Sequence, residues 1–98
     1  MLYRHGDVLL DSVAAVPEGA RPRPGVVLAY GEVTGHAHRV EPREAALLFE
    51  HEGDLYLRVS QEATLLHEEH RPIVLPPGSY RVWRQREYTP QEIRVVVD

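Results

Sequence analysis

The sequence predicts an all-β fold, a small single-domain barrel or sandwich, and three observations lead to that class. Short runs of apolar and β-branched residues recur along the chain, which is typical of strands. Glycine and proline clusters separate these runs at a spacing of about ten residues, which favours strand-to-strand turns over helix-connected parallel units. The length of 98 residues fits one domain, covering residues 1–98. We therefore expect about seven to nine strands and at most a short helical turn.

The first half of the chain predicts strands on either side of a surface loop. Residues 7–13 are rich in Val and Leu, and residues 26–30 form a short apolar run before a glycine. Between them, residues 17–25 have the sequence PEGARPRPG, and this density of proline and glycine indicates a loop. The segment EVTG then predicts a tight connection into a further strand over residues 36–41.

The second half predicts a hairpin followed by further short strands. Residues 45–49 and 54–59 flank the segment EHEG, whose glycine just before the second run is typical of a hairpin turn. Further strands, with a Pro-Pro-Gly turn before the last, are predicted over residues 63–67, 73–75 and 80–88. The segment TPQE, residues 89–92, matches a helix capping box. We expect one helical turn there and a strand over residues 93–97.

Composition limits the functional classes. The chain has no cysteine, so imidazole and carboxylate groups must hold any transition metal. Fifteen acidic residues against eleven basic ones give a formal charge of −4, whereas nucleic-acid-binding proteins usually carry a basic excess. The opening residues lack the features of a signal peptide, and no run approaches the length of a membrane span. We therefore expect a cytoplasmic protein that binds neither membranes nor nucleic acid.

One segment supports an alternative, because YRVWRQREY interleaves arginines with aromatic residues that could stack on bases. The favoured interpretation is structural. Tyr80 and Trp83 are expected to pack in the core or at a subunit contact, with the arginines paired to acids. Since Trp, Tyr and Arg are enriched at interfaces, and since a domain this small gains stability by association, we expect a homo-oligomer.

The most informative pattern is GHAHRVE, in which His36 and His38 are two residues apart. Side chains two apart on an extended strand point to the same side, so both imidazoles could reach one ion while Ala37 faces away. Glu41 would lie on the other side of a regular strand. Only a bend, for which Pro42 gives some reason, would bring its carboxylate round.

A second patch, LHEEH, holds His67 and His70 with Glu68 and Glu69 between them. A spacing of three residues converges on one face of a helical turn and diverges on a strand, and the Arg-Pro that follows favours a turn. If both patches meet, they offer four imidazoles with carboxylates beside them. Such a donor set suits divalent transition metals such as Zn, Ni, Fe or Mn.

The sequence also resembles the cupins, small β-barrels whose first motif has a glycine, a spacer, HxH and a glutamate. The corresponding residues are Gly31, His36, His38 and Glu41. The Pro-Pro-Gly turn resembles the second cupin motif, but Arg81 stands where that motif has a third metal-binding histidine. The chain is also similar to small uncharacterised bacterial proteins that carry GEVTGHAH and HEEHRPIVLPPGSYRVWRQREY-like segments, a resemblance that implies no activity.

Two functional hypotheses follow. In the first, a divalent transition metal is held by a cluster of four histidines, with the protein acting on or sensing a small ligand; the ligands are His36, His38, His67 and His70. In an enzyme of this kind Glu41 or Glu69 would carry protons. In the second, the protein is a metal-free binding or self-assembly module whose histidines are structural or solvated. His5 and His51 have no histidine cluster near them in the sequence, and for them the second interpretation is favoured.

Overall fold

The structure is a computed structural model that describes residues 1–30 and 35–85. Over these residues it contains ten β-strands and one 3-10 turn at Arg43–Ala45. All the strand pairings are antiparallel, and they form two sheets. The strands are β1 (Leu2–His5), β2 (Val8–Val13), β3 (Arg21–Arg23), β4 (Val27–Tyr30), β5 (Ala37–Glu41), β6 (Ala46–His51), β7 (Asp54–Val59), β8 (Ala63–His67), β9 (His70–Leu75) and β10 (Gly78–Arg84).

The larger sheet has six strands in the order β1-β2-β10-β7-β6-β3. Strand β10 pairs with both β2 and β7, which places the start and the end of the described chain side by side. Strands β6 and β7 form a hairpin closed by Glu52 and Gly53, whose φ angles are 51° and 84°. Two successive positive φ values are what a type I′ hairpin turn requires, so the glycine predicted to mark this turn has a conformational reason.

The smaller sheet has four strands in the order β4-β5-β8-β9. Strand β5 therefore lies between β4 and β8, while β9 forms an edge. The edge strands β9 and β1 belong to different sheets and lie next to each other, and a hydrogen bond from the His5 ring to the Arg71 carbonyl oxygen joins them. This junction of the two sheets positions the site described below.

The two sheets pack on one hydrophobic core. Side chains that alternate along each strand between the core and the solvent build it. On β7, for example, Leu57 and Val59 are buried while Arg58 between them is exposed. The core draws on both sheets and contains Val8, Leu10, Leu28, Ala29, Val40, Ala45, Ala46, Leu48, Leu57, Val59, Ala63, Leu65, Leu75, Tyr80 and Val82. Truncating a leucine in such a core to alanine costs about 2–5 kcal/mol.

The predicted all-β class is confirmed, although several details differ. The loop predicted over residues 17–25 is partly wrong, because Arg21–Arg23 forms the short strand β3. Its central Pro22 has no N–H to donate, and β3 is an edge strand, where proline is tolerated. Strand β1 was not predicted, since its sequence LYRH has no clear apolar alternation, and the ten strands exceed the expected seven to nine.

Some sequence predictions fall outside the described residues. They are most of the EVTG connection, the helical turn over 89–92 and the strand over 93–97. Within the described ranges, no helix is long and apolar enough to span a membrane.

Candidate metal centre

Five of the six histidines come together where β1, β5, β8 and β9 meet. Each of the five lies in a strand or directly before one. The hydrogen-bond register of the strands, described next, determines how close the rings lie.

The β8–β9 hairpin brings the first pair together. Strands β8 and β9 are joined by a two-residue turn, and His67 and His70 are directly opposite one another across it. Their ring centroids lie 4.7 Å apart. The sequence favours a turn here, and the structure has one, a hairpin turn at Glu68 and Glu69. The rule that this spacing diverges on a strand does not apply across it, because residues that flank a two-residue hairpin turn form a cross-strand pair on one face of the sheet.

The pairing of β5 with β8 adds the histidines of the other patch. Arg39 is opposite Leu66 in the register, so His38 lies beside His67, with ring centroids 4.3 Å apart. The His38 and His70 rings are 5.6 Å apart, and so are those of His36 and His67. The structure thus brings the four predicted imidazoles together, while their role as ligands stays a prediction.

His5 joins this cluster from the other sheet. Its side chain is buried, with 2% of its surface exposed, as is that of His38. The His5 Nδ1 atom lies 2.9 Å from His38 Nδ1, and its Nε2 atom lies 2.9 Å from the carbonyl oxygen of Arg71. Sequence reasoning gave His5 no part in the cluster, yet it is the side chain that links β1 to β5 and β9.

These two hydrogen bonds fix the proton positions on both rings. A carbonyl oxygen only accepts, so His5 Nε2 must donate to Arg71. In a neutral His5 ring the Nδ1 atom then carries the lone pair, and the hydrogen bond between the two Nδ1 atoms requires His38 Nδ1–H to donate to it. The Nε2 atom of neutral His38 is therefore left with a lone pair.

That lone pair faces a carboxylate. Asp7 Oδ1 lies 3.5 Å from His38 Nε2. The other oxygen, Oδ2, accepts hydrogen bonds from Arg84 Nε at 2.9 Å and Arg84 Nη2 at 2.7 Å, a bidentate contact that fixes the carboxylate orientation. Two electron-rich atoms at this separation repel each other unless a proton or a metal cation interacts with both.

Burial disfavours protonation of His38. It lowers the pKa of His38 to about 4, with the neighbouring histidines His67 and His5 acting in the same direction and Asp7 opposing them. Burial also lowers the pKa of His5, against the raising effect of its bond to Arg71. For Asp7 burial alone would raise the pKa, but the Arg84 hydrogen bonds and charge hold it below its ordinary value. At neutral pH, two neutral imidazoles thus lie beside an ionised carboxylate.

Two sets of side chains could each hold an ion. The first is His38, His67 and His70, and the second is His36, His67 and Glu68; within each set the potential donor atoms lie within 4.8 Å of one another. Bonds from nitrogen to zinc are about 2.0–2.1 Å, so a small inward movement of the rings would complete coordination. His67 belongs to both sets.

The second set is less available, because Glu68 is already engaged. Its Oε1 accepts a hydrogen bond from the Ala37 backbone N–H, and its Oε2 lies 3.0 Å from Arg39 Nη1. The Ala37 hydrogen bond, the Glu68 backbone N–H and the Arg39 contact lower the pKa of Glu68 to about 2. Glu68 therefore ties the β8–β9 turn to β5 and would have to break these contacts to bind an ion.

At the rim of the cluster, His36 has a buried Nδ1 atom with no hydrogen-bond partner among the described residues. The Glu69 Oε1 atom lies 3.5 Å from it. A buried unpaired ring nitrogen is costly, and it fits a site in which polar atoms are directed at a ligand rather than at one another.

The β1–β2 turn is shaped to accept the His70 ring. Gly6 has a φ of 65°, and a Cβ atom added there would lie 2.6 Å from His70 Nε2. Glycine is therefore required at this position for two reasons, the backbone conformation and the close approach of the imidazole.

Two residues considered at the sequence level lie apart from this site. Glu41 is exposed at the end of β5, where its Oε2 lies 3.4 Å from Arg39 Nε, and neither set of potential ligands contains it. Arg81, at the position of the missing cupin ligand, pairs with Asp54 and lies over the Trp83 ring. Together with the Arg84–Asp7 pair, this agrees with the structural interpretation of the Arg-rich segment as far as it is described.

Sequence reasoning missed His5 and Asp7, which flank Gly6 in the segment HGD. The signal that could have found them is this segment itself, since a glycine between two potential ligands before an apolar run predicts a hairpin turn that presents both. Arg84 pairs with an acid as expected, but its place at the site was not predicted and has no local signal, because its partner Asp7 lies at the other end of the chain.

Comparison with curated proteins and with solved structures gives no match, so the cupin resemblance is not confirmed. A family model described as a domain of unknown function matches residues 4–85, which include every histidine of the cluster as well as Asp7 and Arg84. Because this match covers most of the 98 residues, the chain belongs to that family, the domain of unknown function DUF8820.

Proposed function

We propose that this protein binds one divalent transition metal ion through His38, His67 and His70, with the Asp7 carboxylate supplying negative charge beside His38. The observation that carries the proposal is the contact between His38 Nε2 and Asp7 Oδ1 at 3.5 Å. The hydrogen bonds of His5 leave a lone pair on that nitrogen, and Arg84 holds the carboxylate towards it. A cation between the two atoms would convert repulsion into attraction.

The donor set determines which metals fit. Three imidazoles without thiolate, with the Asp7 carboxylate beside one of them, suit zinc, iron(II), nickel or manganese better than calcium or magnesium, which prefer oxygen ligands. The donors run from buried His38 to exposed His70, so one side of the site faces solvent, where a small ligand has access. A metal ion bound there would polarise an oxygen of such a ligand or lower the pKa of a bound water.

The surrounding residues have supporting roles. His5 orients His38 and fixes its tautomer, a contribution that commonly changes metal affinity by 10- to 100-fold. Glu69, 3.5 Å from His36, is the carboxylate in the best position to transfer protons at the rim. The proposal gives no role to Glu41.

The test compares metal affinity across single variants, measured by competition with a chromophoric chelator. His38→Gln and His67→Gln should each weaken zinc binding by at least 100-fold, since each removes one of three imidazole ligands. His51→Gln is the matched control, because His51 lies at the end of β6 on the other sheet. Equal affinities for the wild type and the two cluster variants would exclude the proposed site.

The rival function, self-assembly, has one observation in its favour. Tyr30 on β4 and Val74 on β9 are 71% and 53% exposed, and these are the two edge strands of the four-stranded sheet. Exposed apolar side chains on edge strands fit a homo-oligomer that associates through this sheet. Analytical ultracentrifugation of the metal-free protein tests this: a monomer at all concentrations contradicts self-assembly and leaves metal binding unaffected. We also propose a cytoplasmic location, which the absence of cysteine supports.

A further inference from the structure

A cleft of about 490 Å³ opens beside the histidine cluster. It lies between edge strand β1 with its following turn and edge strand β9, at the junction of the two sheets. The residues that line it are Arg4, His5, Gly6, His70, Arg71 and Ile73. His70 and His5 thus belong both to the proposed metal centre and to the wall of the cleft.

The charge of this cleft is opposite to that of the whole protein. The chain has a formal charge of −4, yet among the described residues two arginines line the cleft and no carboxylate does. The Nε atom of Arg4 donates a hydrogen bond to the Gly6 carbonyl oxygen at 3.0 Å, which orients its side chain along the turn. Arg71 is exposed and directly follows His70 on β9.

The backbone of Arg71 is held in place. The Arg71 carbonyl oxygen accepts the buried hydrogen bond from His5, so the Cα of Arg71 cannot move away from the metal centre without breaking the contact between the sheets. An arginine guanidinium presents parallel N–H groups that match the two oxygens of a carboxylate or phosphate. A volume of several hundred Å³ is typical of a site for a small molecule.

We propose that this cleft binds a small molecule with an oxyanion group, a carboxylate or a phosphate, whose charged end contacts Arg71 while the molecule reaches the metal centre past His70. This inference rests on the proposed function and extends it, because it assigns the chemical class of the ligand. Arg71 is a specificity residue here, and a bound metal ion would add to the positive charge of the two arginines that line the cleft.

The experiment uses the full chain and two probes, inorganic phosphate and malonate, titrated by calorimetry into the zinc-loaded and the metal-free protein. Zinc content is measured on the same samples. At least one probe should bind the loaded protein, and that binding should be at least tenfold tighter than in the metal-free protein. Binding of only one of the two probes would identify which oxyanion, phosphate or carboxylate, the cleft prefers.

Variants separate the cleft from general electrostatic attraction. Arg71→Gln should weaken anion binding by at least tenfold and leave zinc content unchanged. The control is Arg21→Gln, which removes the same charge from β3, at the opposite edge of the six-stranded sheet from β1, and it should change anion binding by less than twofold. Both variants replace exposed side chains, and a thermal melt confirms that each is folded.

The outcomes are distinguishable. A protein that holds zinc and binds neither probe, or one in which the two arginine variants behave alike, overturns the inference while metal binding stands. A protein that takes up no metal contradicts the proposed function. In that case Arg71-dependent binding of a probe to the metal-free protein would still support the anion cleft, and its absence would overturn both proposals.

Discussion

His38 lies between two groups that both act as acceptors, because its Nδ1 atom faces the lone pair of His5 and its Nε2 atom faces the Asp7 carboxylate. A neutral imidazole has only one N–H to donate. The His5 ring donates to the Arg71 carbonyl oxygen, so it accepts from His38 in turn. The position of one backbone carbonyl thereby determines which nitrogen of a ring on another strand is free to bind an ion.

A substitution of His5 tests this chain of two hydrogen bonds directly. His5→Leu removes the acceptor for His38 Nδ1–H and should weaken zinc affinity by about 10- to 100-fold, while the three imidazole ligands remain present. His5→Gln offers a side-chain carbonyl oxygen as acceptor and should recover part of the loss. Chelator competition gives both affinities. If His5→Leu binds zinc as tightly as the wild type, His5 has no positioning role.

Gly6 gives the second test at this scale. Gly6→Ala places a methyl group where the structure has 2.6 Å to His70 Nε2, and it also forces an alanine into a positive φ, at a cost of about 1 kcal/mol or more. Zinc affinity should fall by at least tenfold because His70 is displaced. The unfolding free energy should fall as well.

Gly53→Ala is the matched control for this change. Gly53 also has a positive φ in a two-residue hairpin turn, but nothing lies within 4 Å of an added Cβ. Gly53→Ala should lower the free energy of unfolding, measured by chemical denaturation, because alanine is strained at a positive φ. It should leave zinc affinity unchanged. Equal loss of zinc affinity in the two variants would mean that general destabilisation, and not the His70 contact, is responsible.

At the scale of secondary-structure elements, the β8–β9 turn is the part expected to change when a metal binds. His67 Nδ1 accepts a hydrogen bond from the Glu69 backbone N–H at 3.0 Å, so a neutral His67 ring carries its proton on Nε2. A ring nitrogen binds a metal through a lone pair. His67 must therefore give up the Glu69 bond as the ion enters: either the ion takes the Nδ1 lone pair, or the proton moves from Nε2 to Nδ1, which can then no longer accept a hydrogen bond.

This rearrangement is observable at one amide. Titration with zinc should shift the Glu69 amide resonance and accelerate its hydrogen exchange, because the amide loses its acceptor. The Ala37 amide, which donates to Glu68, is the internal control and should change much less. An unchanged Glu69 amide on zinc binding would contradict this rearrangement.

The secondary-structure elements also show what the pattern of apolar, glycine and proline residues predicts and what it does not. The β6–β7 hairpin and strands β8 and β10 follow from apolar runs bounded by Gly and Pro, which are local signals. The pairing of His67 with His70 depends on a two-residue turn, and HEEH lacks the Gly or Asn that marks such turns. The sequence therefore favours a turn at this point without indicating that it is a hairpin turn, and the convergence of the two rings follows from that turn type.

At the scale of the whole molecule, the site exists because two sheets meet. His5 and Asp7 come from the six-stranded sheet and its β1–β2 turn, whereas the proposed ligands come from the four-stranded sheet. Residues His36 and His38, with His67 and His70, could be found from local spacing. The contribution of His5, Asp7 and Arg84 depends on contacts between distant parts of the chain, and one sequence does not reveal these.

The burial of neutral histidines should make the stability of the metal-free protein depend on pH. The pKa of His38 is about 4 in the folded state against an ordinary value of 6.5, so the unfolded chain binds the proton more readily. Stability is fully present above about pH 6.5 and falls as the pH is lowered towards 4, by at most on the order of 3 kcal/mol from this residue. His5 adds a change of the same sign.

Urea denaturation at pH 7.5 and pH 5 measures this dependence. The metal-free wild type should unfold at lower urea concentration at pH 5, and His38→Gln should reduce the difference between the two pH values. Identical midpoints at both pH values for the wild type would indicate that His38 is not held neutral by burial.

The most direct measurement of the central claim is the metal content of the wild-type protein, purified without an affinity tag and analysed by inductively coupled plasma mass spectrometry. We expect close to one equivalent of a single divalent transition metal per chain, or an apo protein that gains thermal stability when zinc, iron(II), nickel or manganese is added. Less than a tenth of an equivalent of every transition metal, with no thermal shift on adding any of them, would contradict the claim that this histidine cluster is a metal centre.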